Sequence, residues 1–280
     1  MSLMTNSATA LSWGSGDIEQ RFGVRGGRFT RTNGVFTLAV AVVLTLLTYL
    51  CMIPFQDLRW IQMFTERGAV QYVTVLFSFW SLMILAIKWQ KIRLQSRALD
   101  ARLVPADPDF VLSTATVGDV LRGLHELCDD PRQFILFNRI DLALSNLKNM
   151  GRISDLDDVL RSQADNDEDV MESSYTLLRG LIWAIPVLGF IGTVQGLSQA
   201  IGEFGGVISN SGEMGAVKSA LQGVTGGLAV AFETTFVALV AALAIQLILT
   251  FVKRTEEQLL DDCREYCQRQ MVSRLKITPF

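Results

Sequence analysis

Histidine is nearly missing from this 280-residue chain, which has one copy, His125; cysteine occurs four times and proline six. Each scarcity excludes something. No Ser-His-Asp set is recognisable around the one histidine, and no phosphate-cradling glycine loop precedes a lysine, so nothing supports an enzyme. His125 sits at helical spacing among Leu121, Leu124 and Leu127 and reads as structural. Cys51, Cys128, Cys263 and Cys267 build no disulfide framework, because Cys51 lies in an apolar run and the others in segments expected in the reducing cytoplasm. Cys263 and Cys267 are four apart on an expected helix, but without a second pair no metal site is expected. Charged residues make up 19% and the net charge is −3, with no strongly basic domain and no aromatic-basic interleaving, which argues against nucleic acid. Strand-like alternation and internal repeats are absent too.

What is there is apolar. Half of the residues are hydrophobic, and they concentrate in four blocks, which predicts an all-α integral membrane protein. The first span is Gly34–Ile53, ended by Pro54, and the second is Ala69–Ile87. The third and fourth fall within Leu177–Phe251, joined by a polar, Gly-rich connector over residues 202–223. Each run is long enough to cross a hydrocarbon core of ~30 Å. Arg21, Arg25, Arg28 and Arg31 precede span one, a basic cluster from Lys88 to Arg102 follows span two, and Lys253 and Arg254 follow span four. The connectors 55–67 and 202–223 hold only Arg59, Arg67 and Lys218. By the positive-inside rule both termini lie in the cytoplasm, and the protein is multi-pass in lipid.

Between spans two and three lies a polar block with helical periodicity. Asp130-Pro131 reads as the N-cap and first position of a helix to about Met150, stopped by Gly151, with Phe134, Phe137, Ile140, Leu144 and Leu147 on one side. Ser154 with Asp157 reads as a second start, opening a helix expected to run directly into span three. The organisation expected is a flexible basic tail (1–33), membrane helices one and two (34–88), a helical cytoplasmic domain (89–176), membrane helices three and four (177–252) and a cytoplasmic C-terminal helix (253–280). That last helix is either solvated or packed through Leu259, Leu260, Tyr266, Met271 and Leu275.

The third and fourth spans are not plain lipid anchors. Gly189, Gly192, Thr193 and Gly196 fall at i, i+3, i+4 and i+7, one helical face bearing a single hydroxyl, and Pro186 in the same helix frees the carbonyl of Ile182. Such a face permits close helix approach, either as packing alone or as part of a polar passage. In span four, Thr235 shares a face with Leu228, Ala231, Phe232, Ala238, Leu239 and Ala242, while Glu233 lies about 200° away on an ideal wheel. One of the two is expected to line a lumen and the other to face a neighbouring helix or subunit. An intramembrane carboxylate costs ~2.5 kcal/mol or more if charged and unpaired, so Glu233 is expected to be neutral or proton-exchanging, or else hydrogen-bond glue between helices.

The run Pro186-Val-Leu-Gly189-Phe-Ile-Gly192-Thr193-Val-Gln-Gly196 resembles the P-x-L-G-x-x-G-T-V-x-G signature of the MotA/TolQ/ExbB proton-channel family. Ala231-Phe-Glu-Thr-Thr235-Phe-Val-Ala-Leu239 is similar to that family's last membrane helix, and the likeness covers about residues 155–255. The text of the motif is closer to TolQ and ExbB, while four spans match the flagellar stator subunit. The resemblance implies a homopentamer around a dimer of a single-span ExbD/TolR-like protein whose helix bears an Asp. It also implies a proton-driven motor of the bacterial inner membrane that works on a periplasmic or envelope target. By position, Thr193 and Thr235 would line the ion pathway near that Asp, with Glu233 beside it; Val230 occupies the place of the ExbB glutamate. Pro186, Gly189, Gly192, Gly196, Ala231 and Ala238 would form the packing and pore face. No cofactor is expected beyond transported H+, with Na+ as the alternative ion. A non-conducting membrane scaffold is the alternative function.

Overall fold

The structure is a computed structural model and describes residues 11–24, 26–65, 68–101, 103, 112, 116–145, 153–210 and 214–274. Among these there is no strand, and ten α-helices follow in order. They are α1 (Trp13–Gly16), α2 (Ile18–Arg21), α3 (Gly34–Met52), α4 (Arg59–Thr65), α5 (Ala69–Leu99), α6 (Val117–Leu127), α7 (Ile135–Ser145), α8 (Ile153–Ser174), α9 (Thr176–Asn210) and α10 (Met214–Gln270). Four helical stretches are long and apolar enough to cross a membrane, and they coincide with the four apolar blocks of the sequence. The chain divides into two compact units, one of residues 1–33, 86–175 and 251–280, the other of residues 34–85 and 176–250.

In the second unit several hydroxyls of the first two spans are satisfied by the helices that carry them. Thr45, Thr74, Ser78 and Ser81 each donate to the carbonyl four residues earlier, at 2.7–2.9 Å. That is the low-cost arrangement where no water reaches the backbone. Helices α3 and α5 are tied by the Trp80 indole, which donates to Thr37 Oγ1 at 3.0 Å, and by the Tyr49 and Tyr72 rings, 4.7 Å apart. The connector after span one holds the short helix α4, and Tyr72 donates to the Thr65 carbonyl at its end. The Gly-rich connector at 202–223 is a correction to the sequence reading. α9 continues to Asn210 and α10 begins at Met214, because a continuing helix satisfies its own N–H and C=O groups while a glycine loop leaves them open.

The first unit packs α6, α7, α8, the later part of α5 and the last part of α10 around Phe134, Phe137, Ile140, Leu156, Leu259 and Cys263, all buried. Asp130 does act as a cap, accepting from Arg132 N, but it opens a single 3-10 turn, Pro131–Gln133, and α7 starts at Ile135. Leu147, Met150, Gly151 and Leu275 lie outside the described residues. Ser154 is inside α8 rather than capping it, and α8 passes into α9 through the single turn residue Tyr175, so that one helical run of 52 residues spans Asp155–Gly206 as the sequence leads one to expect. His125 is exposed, with Nδ1 2.8 Å from its own Leu121 carbonyl.

Over residues 11–24 and 26–33 the tail expected to be flexible is docked. Trp13 is buried edge-on against Phe134, ring centroids 5.4 Å apart. Asp129 accepts from the Ser12 hydroxyl and from the Trp13 and Gly14 amides at 2.9, 2.9 and 3.2 Å. Burial opposes its ionisation, but these bonds and that from Asp130 N win and hold its carboxyl below the usual range. Deeper in, Lys88 and Lys91 are both 0% exposed. Lys91 bonds Glu19 at 2.5 Å and faces Asp17 at 3.4 Å, and Lys88 pairs with Glu256 at 3.2 Å. Glu256 also accepts from the Tyr175 and Thr30 hydroxyls. Charges this deep are tolerated only as pairs. Lysines read from the sequence as an orientation signal are therefore also the anchors of the N-terminal segment.

Lys91→Met leaves Asp17 and Glu19 buried without a counter-charge and is expected to cost about 3–5 kcal/mol. The thermal midpoint of the full chain in detergent should fall accordingly, and adding Glu19→Gln should recover part of the loss. An unchanged midpoint in the single variant contradicts this account of the segment.

Candidate functional site

The glycine face of α9 meets α10 along a narrow seam within the second unit. A Cβ added at Gly189 would stand 2.6 Å from Ala238 Cβ and 3.2 Å from Thr235 Cα. At Gly192 it would meet Thr234 Oγ1 at 3.0 Å, at Gly196 Ala231 Cβ at 3.3 Å, and at Gly227 Ala200 Cβ at 2.7 Å. The sequence forces this approach because both helices offer only glycine, alanine or threonine along the line of contact. Pro186 lies inside α9 a turn before Gly189 and is half-buried.

Thr193 and Thr235 turn toward each other across the seam, their hydroxyls within hydrogen-bond reach. Thr193 Oγ1 lies 3.1 Å from the Ala231 carbonyl of α10, and Thr235 Oγ1 lies 2.9 Å from the Gly189 carbonyl of α9. Each hydroxyl thus reaches the carbonyl four residues before its counterpart. The bonds each can make to its own helix are longer, 3.2 Å for Thr193 to Gly189 and 3.5 Å for Thr235 to Ala231. A hydroxyl donates once and accepts twice. Two protons are therefore shared among several acceptor positions, and they can be redistributed by hydroxyl rotation alone. Crossed donation ties α9 to α10, while donation to the hydroxyl opposite removes one of the two bonds to a carbonyl across the seam.

The structure brings Gly189, Gly192, Thr193 and Gly196 of α9 together with Ala231, Thr235 and Ala238 of α10. It rotates the packed face of α10 from the one read in the sequence. The buried stripe is Ala231, Thr234, Ala238, Ala242, Ile245 and Leu249, whereas Phe232 and Leu239 are exposed. Thr234, to which the sequence reading assigned no role, fills the space opposite Gly192, and its hydroxyl donates to the Ala231 carbonyl at 2.8 Å. The signal available for it was the Ala-Thr-Ala-Ala spacing of three and four at 231, 234, 238 and 242. Glu233 is half-buried, off that stripe.

Val70 of α5 lies 3.5 Å from the Cβ position of Gly192, and the next residue, Gln71, is buried with neither amide atom bonded. Among the described residues no cluster of His, Cys, Asp or Glu is arranged to hold a metal ion. The four cysteines are free thiols; Cys51 is exposed and the other three are buried.

Gly189→Ala is expected to push α9 from α10, since neither Ala238 Cβ nor the Thr235 backbone can yield, at a cost of about 1–3 kcal/mol. Gly180→Ala, with open space around its Cβ position, should be neutral or slightly stabilising. Equal thermal midpoints for the two variants in detergent contradict the seam as described.

Residues 130–265 match the model of the MotA/TolQ/ExbB proton channel family, a stretch that contains the whole seam. No curated protein and no solved structure matches the chain.

Proposed function

Because the chain belongs through residues 130–265 to the MotA/TolQ/ExbB proton channel family, we propose that it is the channel subunit of a proton-motive-force-driven motor of the bacterial inner membrane. Both termini face the cytoplasm in this reading. Copies of the chain, five in the family's arrangement, surround a dimer of a single-span ExbD/TolR-like protein carrying an intramembrane Asp. Ion flow between the two is converted into mechanical work on a periplasmic or envelope target.

The observation that carries this reading is the paired hydroxyls of Thr193 and Thr235, which meet between two helices long enough to span a membrane. A passage for protons needs polar groups that both give and take a hydrogen bond, held where lipid is excluded, and this pair supplies them. The unbonded amide of Gln71 adds to the argument, because a buried polar group without a protein partner calls for water or an ion. Glu233 is the proton-exchanging group of the same region. The driving term is ~2.3 kcal/mol per elementary charge for each 100 mV of membrane potential.

Sodium as the coupling ion has one observation in its favour: two hydroxyl oxygens and the carbonyls of Gly189 and Ala231 converge on the seam. Work output that stops without sodium and persists without a proton gradient would select it. A non-conducting scaffold has only the packing of the glycines behind it.

Purification of the intact complex from native membranes should yield a short companion protein with one membrane helix and an Asp inside it. Thr193→Val and Glu233→Gln should each assemble with that companion and lose most of the work output. A chain that purifies alone, or full output from both variants, leaves the scaffold.

A further inference from the structure

Away from the seam, in the first unit, a groove of about 250 Å³ lies between α8 and α10, above Arg139 of α7. Its floor is Arg139 together with apolar Met171 and Leu260, all buried. Arg139 is 2% exposed, and its Nε donates to Asp167 at 2.6 Å, which balances the charge. Its Nη1 nevertheless has no partner. A guanidinium N–H that deep without an acceptor is costly, and folded proteins seldom leave one so.

The rim is also unmet. Glu168, Glu257, Asp261 and Arg264 are exposed around the groove, three carboxylates to one guanidinium. Glu257 leans on Lys253 at 3.5 Å, while Glu168, Asp261 and Arg264 form no hydrogen bond or ion pair among the described residues. α8 and α10 present these side chains at helical spacings of three and four, so they converge on the same opening. The floor asks for an acceptor and the rim asks for cations. A simple anion meets the carboxylates on its way in, and a simple cation leaves Nη1 unbonded. The volume suits a molecule of a few heavy atoms, smaller than the pockets that take drug-sized ligands.

We propose that this groove binds a small cationic zwitterion of the α-amino-acid class. Its carboxylate sits on the Arg139 guanidinium and Arg264, and its cationic groups sit among Glu168, Glu257 and Asp261. The site is independent of the ion-path reading, since none of its residues belongs to the seam.

Calorimetric titration of the full chain in detergent with L-arginine, L-lysine, agmatine and L-glutamate tests it. L-arginine and L-lysine should bind at one saturable site. Agmatine, which is arginine without its carboxylate, should bind at least about tenfold more weakly, as loss of a charge-assisted hydrogen bond requires. L-glutamate should give no saturable binding. Asp261→Asn, at an exposed position that leaves the packing intact, should weaken L-arginine by about fivefold or more. Agmatine binding as tightly as L-arginine reduces the groove to a non-specific cation trap and overturns the proposal. So does the absence of saturable binding for both basic amino acids, or a side chain from a neighbouring copy on Arg139 Nη1 in the assembled protein.

Discussion

Close approach of two helix backbones governs what this molecule can do. Where α9 passes α10 at Gly189, the Cβ of any other residue would stand 2.6 Å from Ala238 Cβ, closer than atoms pack. Only with the helices this near can the Thr193 hydroxyl reach the Ala231 carbonyl while the Thr235 hydroxyl reaches that of Gly189. Larger residues on the seam would move the hydroxyls out of range of each other. Glycine at 189, 192 and 196 is thus what puts the hydroxyls in register.

The two compact units meet opposite demands on polar groups. Around the spans, hydroxyls bond the carbonyl a turn earlier or one across the seam. In the first unit, full charges are buried and paired: Lys91 with Glu19 and Asp17, Lys88 with Glu256, Arg139 with Asp167. Removing one partner of such a pair is far more costly than removing a hydroxyl.

Much of this could be read from the chain beforehand, for identifiable reasons. The spans follow from uninterrupted apolar runs, and the glycine face of α9 follows from spacing at 189, 192, 193 and 196, which any helix places on one side. The face of α10 was read less well. Leu239 and Phe232 were placed with Thr235 by angle, yet they are exposed, and the small Thr234 takes the packed position, because which side of an apolar helix is buried depends on its neighbour. The docked segment was illegible for a different reason. Its partners Lys91 and Asp129 lie far along the chain, and neither pairing leaves a local trace at Trp13, Asp17 or Glu19. The unmet Nη1 of Arg139 was equally out of reach, since Phe137 and Ile140 beside it mark the helix as core and say nothing of the guanidinium.

The most direct measurement is proton uptake into proteoliposomes holding the chain with its companion protein, under an imposed membrane potential, for Thr235→Ser against Thr235→Val. The account predicts that serine, which keeps the hydroxyl, sustains most of the flux, and that valine, of nearly the same shape, abolishes it with the complex intact. Equal flux through both would contradict it.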